Sequence, residues 1–444
     1  DCIIFVKRPL ARFLFNLNYN AMKQLRLFLL LAAGLFLTSC SEPQPDEFPN
    51  PDPPPTVGRH AVPIDQALGE LHDLLGVIDG QGTRAGGVRT IAQVQTLHAQ
   101  ALALTRSASE PGEQPEELLY VVNFEDDAGY AVLGADDRLP GVLAVTDEGS
   151  LTTEELVRAA NGQTTPEEFT FPNEMLMNYV SGIGGIGGGG IGGGGIGGGG
   201  IPTGPFTDFD TQLGNPPAGF EGYEWSDWKN LEYVAPMVTT RWHQEDPFNR
   251  HCPVIGGETC VAGCAAIAMA QIVASNHLHH NVSPGRIGNI SLNWTLIRQG
   301  IIDPDLLNRN SSIANQVALL VAALGLKLGM NYGVTQSGAS IDDAEYCFKY
   351  IGYKGVNNHT FRPSYVRTML WERQRPTYVR AVNAQKEGHA WVADGWLYRR
   401  RDQYAVIFGK RSDYSVSNQT QTLMHCNFGW GGRCDGFYHI GLFN

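Results

Sequence analysis

The chain has no run of the roughly 18 apolar residues that a membrane-spanning helix requires, so it offers no candidate membrane span. Positive charge is scarce, because 32 Lys and Arg stand against 45 Asp and Glu, which gives a net charge of −13. That balance disfavours nucleic acid as a partner and favours solubility. The eight cysteines include no CxxC pair, which argues against a metal site, and no cofactor is predicted.

What remains is the composition of an ordinary globular protein. Hydrophobic residues make up 43% and charged residues 17% of the 444 positions, and this length allows two or three domains, each with its own core. By composition the chain divides into an N-terminal targeting segment, a first folded block at residues 58–160, a linker, and a second folded block at residues 233–444.

The N-terminal residues indicate export rather than folded structure. Residues 22–40 have a basic and then an apolar stretch and resemble a bacterial lipoprotein signal, with Cys40 as the lipidation site. The lipid would anchor the protein to a membrane, in the periplasm or at the cell surface. The alternative is an ordinary export signal in which Cys40 occurs by chance. We expect an acidic, Pro-rich tether at residues 41–57, and we interpret residues 1–21 as upstream sequence from a start-site error, without a structural role.

The first folded block is predicted to be a small α+β unit. Apolar residues recur at helical spacing over Ile64–Ile78, which predicts an amphipathic helix. Leu118–Val122 and Tyr130–Leu133 are typical of strands, joined by a hairpin turn at Asn123–Gly129. A third strand is expected at Leu143–Val145.

A glycine repeat separates the two blocks. Gly182–Ile201 repeats Ile-Gly-Gly-Gly-Gly and holds 15 of the chain's 53 glycines. Because glycine loses the most backbone entropy on ordering, we expect a flexible spacer here, within a linker and processing region at residues 161–232. Exposed spacers suit proteolytic cutting, so maturation is expected to cut between about Gly182 and Tyr223.

The second block holds the residues that carry chemistry. Cys264 follows Gly263 at the head of a small, apolar run that is typical of a buried helix. A helix N-terminus lowers the pKa of a thiol, and Gly263 would let a substrate backbone approach the sulfur. His389 lies 125 residues downstream and would take the thiol proton. Taken alone, Cys264 can equally be a core residue and His389 a structural histidine.

Two amides complete the set. Asn427 precedes Phe-Gly-Trp430-Gly-Gly, and its side-chain carbonyl is expected to orient the imidazole while the Trp430 indole shields that bond. Gln244 lies 20 residues before Cys264, and its amide is a candidate oxyanion donor together with the Cys264 backbone N–H. Each element alone is weak, but Gln, Cys, His and Asn in this order indicate a cysteine protease.

Four stretches of the second block resemble the streptopain family of bacterial papain-like cysteine proteases. They are WHQEDPFN at 242–249, CVAGCAAIAMAQI at 260–272, GHAWVADG at 388–395 and NFGWGG at 427–432. The resemblance extends over nearly all of residues 233–444, and the first block is similar to the family's inhibitory propeptide. The sequence departs from the family at Phe428, where Trp is common.

The resemblance implies an α+β fold, with a papain-like catalytic domain of a helical part and an antiparallel sheet part, preceded by a small α+β propeptide domain. It implies an exported zymogen that hydrolyses peptide bonds in protein or peptide substrates and is inhibited by its own propeptide. By match of motif, it assigns Cys264 as nucleophile and His389 as base. In the same way it assigns Gln244 as oxyanion donor and Asn427 as the orienting residue.

Two other functions remain open at this point. Acyl transfer of the transglutaminase type also uses Cys and then His, although it usually takes Asp where this chain has Asn427. Amine incorporation without peptide hydrolysis would favour it. A surface binding or inhibitor protein would draw on the first block's similarity to inhibitory propeptides. Inhibition of a separate protease by residues 57–160 would favour that alternative.

Overall fold

The computed structural model describes most of the two folded blocks. The described ranges are 3–7, 61–80, 88–102, 117–163, 170–183, 219–382 and 388–443. The predicted signal at 22–40, including Cys40, the tether at 41–57 and the glycine repeat from residue 184 onward lie outside them. Within the described ranges, no helix is both long and apolar enough to cross a membrane.

The first block is an antiparallel sheet covered by one helix. Helix α1 (Ile64–Ile78) has the predicted bounds. It buries an apolar stripe at helical spacing: Ala67, Leu71, Leu74, Leu75 and Ile78. The strands are β2 (Ile91–His98), β3 (Glu117–Phe124), β4 (Tyr130–Gly134) and β5 (Val142–Thr146). The predicted strands and the hairpin between β3 and β4 are confirmed.

Two helices follow the first sheet. Helix α2 (Thr153–Ala160) begins with a capping box, in which Thr152 and Glu155 each accept the other's backbone N–H. Helix α3 (Thr170–Ile183) lies inside the region predicted to be a linker, so part of that region is helical. Its buried side chains join a core cluster that contains residues of both blocks: Met175, Leu176, Met177 and Val180.

The second block combines helices with the remaining strands. The helices are α4 (Cys264–His280), α5 (Trp294–Ile302), α6 (Leu306–Arg309), α7 (Ser311–Lys327), α8 (Ile341–Tyr350) and α9 (Pro363–Arg367). The main strands are β6 (Phe220–Trp225), β7 (Lys229–Val234), β12 (Asn357–Thr360), β13 (Thr377–Val382), β14 (Gly388–Ile407), β16 (Ser417–Asn427) and β17 (Gly436–His439). Short strands are β8 (Val254–Ile255), β9 (Glu258–Thr259), β10 (Arg286–Ile287), β11 (Ile290–Ser291) and β15 (Lys410–Arg411). Helix α4 is buried on all sides from Ala265 to Asn276, as its small and apolar residues predict.

One sheet connects the two blocks. Its strand order, with β1 formed by Ile3–Lys7, is β12-β1-β13-β14-β16-β17-β5-β4-β3-β2, and β6, β7 and β15 also pair with β14. Strand β13 places Ala381 opposite His389, while β16 places Asn427 opposite Val392 on the other side of β14. His389 and Asn427 therefore lie on neighbouring strands. The predicted fold class, a helical part and an antiparallel sheet part preceded by a small α+β unit, is confirmed.

Strand β1 (Ile3–Lys7) corrects one expectation. It lies between β12 and β13 and pairs in parallel with both. The prediction that residues 1–21 have no structural role is therefore wrong for these five residues. Their sequence, Ile-Ile-Phe-Val-Lys, is rich in β-branched and aromatic residues, which favour strands wherever a partner is available.

Candidate active site

Cys264 is the first residue of α4, and its thiol is half-buried. The backbone of Ala390, on β14, lies beside this thiol. Burial raises the pKa of Cys264, and this effect outweighs the nearby N–H groups and the Arg380 cation, which lower it. The predicted lowering of the pKa at the helix N-terminus is therefore wrong for this state of the chain. The protonated thiol is the favoured form here.

Gly263 is required by close packing. Its φ is +85°, a value that residues with a side chain rarely adopt. A Cβ at this position would lie 2.9 Å from the Met330 sulfur and 3.1 Å from the Ser337 carbonyl oxygen. The room beside Gly263 is thus filled by Met330. The expectation that Gly263 lets a substrate backbone approach the sulfur stays a prediction.

His389 is the second residue of β14 and is only 8% exposed. Its Nε2 lies 3.0 Å from the Phe428 carbonyl oxygen. Because a carbonyl can only accept, Nε2 carries the proton of the neutral ring and Nδ1 holds the lone pair. Burial lowers the pKa of His389 to about 4, although the Phe428 carbonyl raises it. The imidazole is therefore neutral at pH 7, the form that a general base needs.

The fold brings Cys264 next to the residue that follows His389, but Cys264 and His389 do not pair. Ala390, whose backbone lies beside the thiol, directly follows His389. Successive side chains of a strand point to opposite faces, and Ala390 packs in the core cluster around α4 while Trp391 packs in the cluster on the other face. By the same alternation, His389 shares the face of Trp391. Among the described residues, no hydrogen bond joins His389 to Cys264.

An aromatic side chain from α3 packs against the imidazole. The ring centroid of Phe171 lies 5.5 Å from that of His389, 5.4 Å from that of Trp391 and 6.5 Å from that of Phe428. Trp430 stacks on the imidazole at 4.4 Å. It therefore covers the imidazole ring itself, whereas the sequence predicted that it shields a bond between His and Asn. The helix before the glycine repeat thus occupies the surroundings of the predicted base.

The side chain of Asn427 bonds away from the imidazole. Its Oδ1 accepts from Gln271 Nε2 at 2.8 Å and from the Gly429 N–H at 3.1 Å, and its Nδ2 donates to the Thr240 carbonyl at 3.0 Å. The predicted contact between the Asn427 carbonyl and the imidazole is wrong in this structure, because these partners occupy the amide. The backbone carbonyl of the next residue, Phe428, holds the imidazole instead.

Gln244 is brought to the helix start through its backbone. Its carbonyl accepts from the Ala262 N–H at 2.8 Å, two residues before Cys264. The side chain is half-buried. The structure thus places Gln244 beside the nucleophile's helix, and its role as oxyanion donor stays a prediction.

Sequence reasoning missed a buried charge cluster beside the site. His425 Nδ1 lies 2.6 Å from an Asp394 carboxylate oxygen, and its Nε2 lies 3.0 Å from a carboxylate oxygen of Asp147 in the first block. Burial by itself lowers the pKa of His425, but the two carboxylates raise it well above its usual value. Asp435 accepts from the Phe428 N–H at 2.7 Å, which ties this nearby buried carboxyl group to the residue whose carbonyl holds the imidazole. The sequence offers no signal that pairs Asp394 with a histidine 31 positions away.

The arrangement contains the parts of acyl transfer through a thioester. It has a thiol at a helix start, a neutral imidazole one residue from the strand backbone that lies beside the thiol, and backbone N–H groups for an oxyanion. In the described part of the chain, no three His, Cys, Asp or Glu side chains are placed to hold a metal ion together.

Comparison with known proteins places these residues in a family. Residues 242–438 match the Peptidase C10 family. Streptopain from Streptococcus pyogenes is 24% identical over 243 residues, which cover 46% of this chain and 54% of streptopain. The chain therefore spans about half the length of the curated relatives it matches.

Two solved structures from Prevotella intermedia are also similar. A fragment of prointerpain A has a TM-score of 0.44 and 18% identity and covers 79% of this chain and 93% of that one. Active interpain A cysteine protease has a TM-score of 0.33 and 21% identity and covers 48% of this chain and 88% of that one. The matched segment of this chain contains all four predicted site residues. Through residues 242–438, the chain matches the Peptidase C10 family and is similar to streptopain.

Proposed function

We propose that the chain is the unprocessed form of a cysteine endopeptidase that hydrolyses peptide bonds through Cys264 and His389. The observation that carries this proposal is the closeness of the Ala390 backbone to the Cys264 thiol, which brings the helix start to the strand that bears His389. A thiol and an imidazole held on adjoining segments are the nucleophile and base of this reaction class. Both residues lie within the matched family segment.

In the proposed reaction, His389 Nδ1 takes the proton of the Cys264 thiol. The other ring proton stays on Nε2, which donates it in a hydrogen bond to the Phe428 carbonyl. The thiolate attacks the scissile carbonyl carbon, and the C–N bond breaks as the imidazolium gives its proton to the leaving amine. Water that loses a proton to His389 then hydrolyses the thioester and restores the thiol. The oxyanion accepts from the Cys264 N–H and the Gln244 amide, and each such donor is worth about 10²–10³ in rate.

We further propose that the first block and α3 keep the precursor latent. Two observations support this: Phe171 packs on the imidazole, and burial keeps Cys264 in its thiol form. Departure of α3 removes Phe171 and lets the imidazole turn towards the sulfur. A cut between about Gly182 and Tyr223 would release α3 together with the first block, because α3 ends at Ile183.

Casein hydrolysis by the processed chain tests the proposed function. The full-length chain is allowed to mature, the new N-terminus is sequenced, and the product is assayed with casein and with an epoxide thiol inhibitor. We expect a start between residues 182 and 223, cleavage of casein, and inhibitor bound at Cys264. A folded, processed chain that leaves casein intact contradicts the function. A start upstream of Thr152 contradicts the proposed cut.

We also propose that the precursor is exported and anchored through a lipid on Cys40. The support is the signal-like sequence of residues 22–40, which ends in Leu-Thr-Ser-Cys. Cells that produce the wild-type chain should incorporate labelled palmitate into it and retain it in the membrane fraction. The Cys40→Ser variant should lose both the label and the membrane retention. Equal labelling of the two chains would disprove lipidation at this residue.

A further inference from the structure

Gln271 carries a buried side-chain amide that has no role in the proposed reaction. It lies seven residues after Cys264 in α4, so the two residues face the same side of the helix. Its exposure is 0%. A buried amide is costly unless its donors and acceptors are bonded. Such a residue, within the apolar run from Ala265 to Ala274, therefore calls for a structural partner on the facing segments.

The amide of Gln271 closes a ring of hydrogen bonds. Its Nε2 donates to Asn427 Oδ1 at 2.8 Å. Its side-chain oxygen accepts from the Thr240 hydroxyl at 2.9 Å and from the Trp242 N–H at 3.4 Å. Asn427 Nδ2 returns to the Thr240 carbonyl at 3.0 Å. The ring joins α4, the end of β16 and the loop that enters the second block.

Each partner of Gln271 leads to a different part of the site. Asn427 directly precedes Phe428, whose carbonyl holds the imidazole of His389 at 3.0 Å. Trp242 lies two residues before Gln244, the candidate oxyanion donor. The helix of Gln271 begins at Cys264 itself. The segments that carry the nucleophile, the base and the oxyanion donor are thus all linked to the side-chain amide of Gln271.

The backbone is closely packed around this ring of hydrogen bonds. A Cβ on Gly429, which follows Phe428, would lie 2.9 Å from the Ile267 side chain and 3.9 Å from Gln271 Nε2. The backbone after β16 therefore runs directly against α4. Asn427 is bonded to Gln271 and directly precedes Phe428 in the chain. A change in the hydrogen bonds of Gln271 would therefore shift the Phe428 carbonyl.

We propose that Gln271 is a positioning residue that sets the register between the Cys264 helix, the carbonyl that holds His389 and the Gln244 loop. This inference rests on the proposed peptidase function. A loss of about 1 Å in alignment can reduce rate by about 10²-fold. Removal of the amide should therefore lower kcat by about that factor, while KM changes little because the substrate-binding surface is untouched.

Variants of the full-length chain, matured as above, test this role. Gln271→Met keeps the length of the side chain and removes its hydrogen bonds. Gln403→Met is the matched control, because Gln403 is also a buried amide (2% exposed), accepts from the Ser417 hydroxyl at 2.8 Å and lies far along β14 from His389. We expect the kcat loss only in Gln271→Met. The pH profile of Cys264 alkylation by iodoacetamide should also shift in that variant, and the control should keep the wild-type profile.

A second variant covers the case in which Gln271→Met does not fold. Gln271→Glu restores the donor to Asn427 only when its carboxyl is protonated, so its kcat relative to wild type should rise as pH falls. Equal kcat and equal alkylation profiles in wild type and either Gln271 variant would overturn the inference. Absence of casein hydrolysis in the wild type would instead contradict the proposed function, and the alkylation profiles would still decide whether Gln271 positions the thiol.

Discussion

Replacement of Cys264 by alanine is expected to abolish casein hydrolysis and covalent labelling by an epoxide thiol inhibitor. The thiol is the only group at this position that can form the acyl intermediate. When a protease loses a nucleophile that acts together with its base, kcat falls on the order of 10⁶-fold. The fold should survive, because the Cys264 side chain is only half-buried. The measurement is casein hydrolysis by matured wild-type and variant chains, with the labelled residue identified by mass spectrometry.

Cys347→Ala is the matched control for this loss. Cys347 is a free cysteine of α8 with 0% exposure in the same core cluster as α4. Burial raises the pKa of Cys347 to about 12, so its thiol should not react with the inhibitor. The control should keep its label at Cys264 and its activity. Residual caseinolysis or labelling in Cys264→Ala would exclude this cysteine as the nucleophile. Amine incorporation by the wild type without hydrolysis would point to acyl transfer instead.

Substitution of Phe171 by alanine is expected to make the precursor partly active before it is cut. Phe171 is half-buried and packs on His389 and Trp391. Loss of its ring should weaken the closed arrangement by about 1.5 kcal/mol. Because 1.4 kcal/mol corresponds to a factor of ten, the open population should rise about tenfold. The rate at which the epoxide inhibitor labels Cys264 in the intact chain should rise by the same factor.

The control for Phe171 comes from the same helix. Tyr179 is also half-buried, but its ring contacts His439 at 6.2 Å, at the other end of α3. Tyr179→Ala should loosen α3 while Phe171 stays on the imidazole, and its labelling rate should rise less. An unchanged rate of Cys264 labelling in Phe171→Ala would show that Phe171 does not contribute to latency. An equal rise in both variants would assign latency to the docking of the whole helix.

Local patterns allowed much of the fold to be predicted. The helix at Ile64–Ile78 has the predicted bounds because its apolar stripe and the residues that end it lie within the segment itself. The buried helix after Cys264 was also predicted, since a run of small apolar residues leaves no polar face. The sequence did not predict that the segments within Gly388–Ile407 form one long strand, β14. Periodicity finds such segments but does not show that they are continuous.

The contacts within the candidate site were harder to predict. The four motifs do meet, but the group that holds His389 is the Phe428 backbone carbonyl, and a backbone group leaves no mark in the sequence. Gln271 was passed over inside an apolar run because its partners, Asn427 and Thr240, are brought to it only by the sheet. The contact of Phe171 with the imidazole depends in the same way on long-range docking of α3.

The pairing of β17 with β5 has a consequence for the mature protein. In the precursor, β17 has hydrogen-bonded neighbours on both sides, β16 and β5. Release of the first block would leave β17 as an edge strand with a row of unpaired backbone N–H and C=O groups. Such edges can add an extended segment from another chain and are sites of aggregation. Maturation would therefore expose β17 as an edge strand that can pair with another chain. The precursor should stay monomeric at concentrations where the processed protein self-associates.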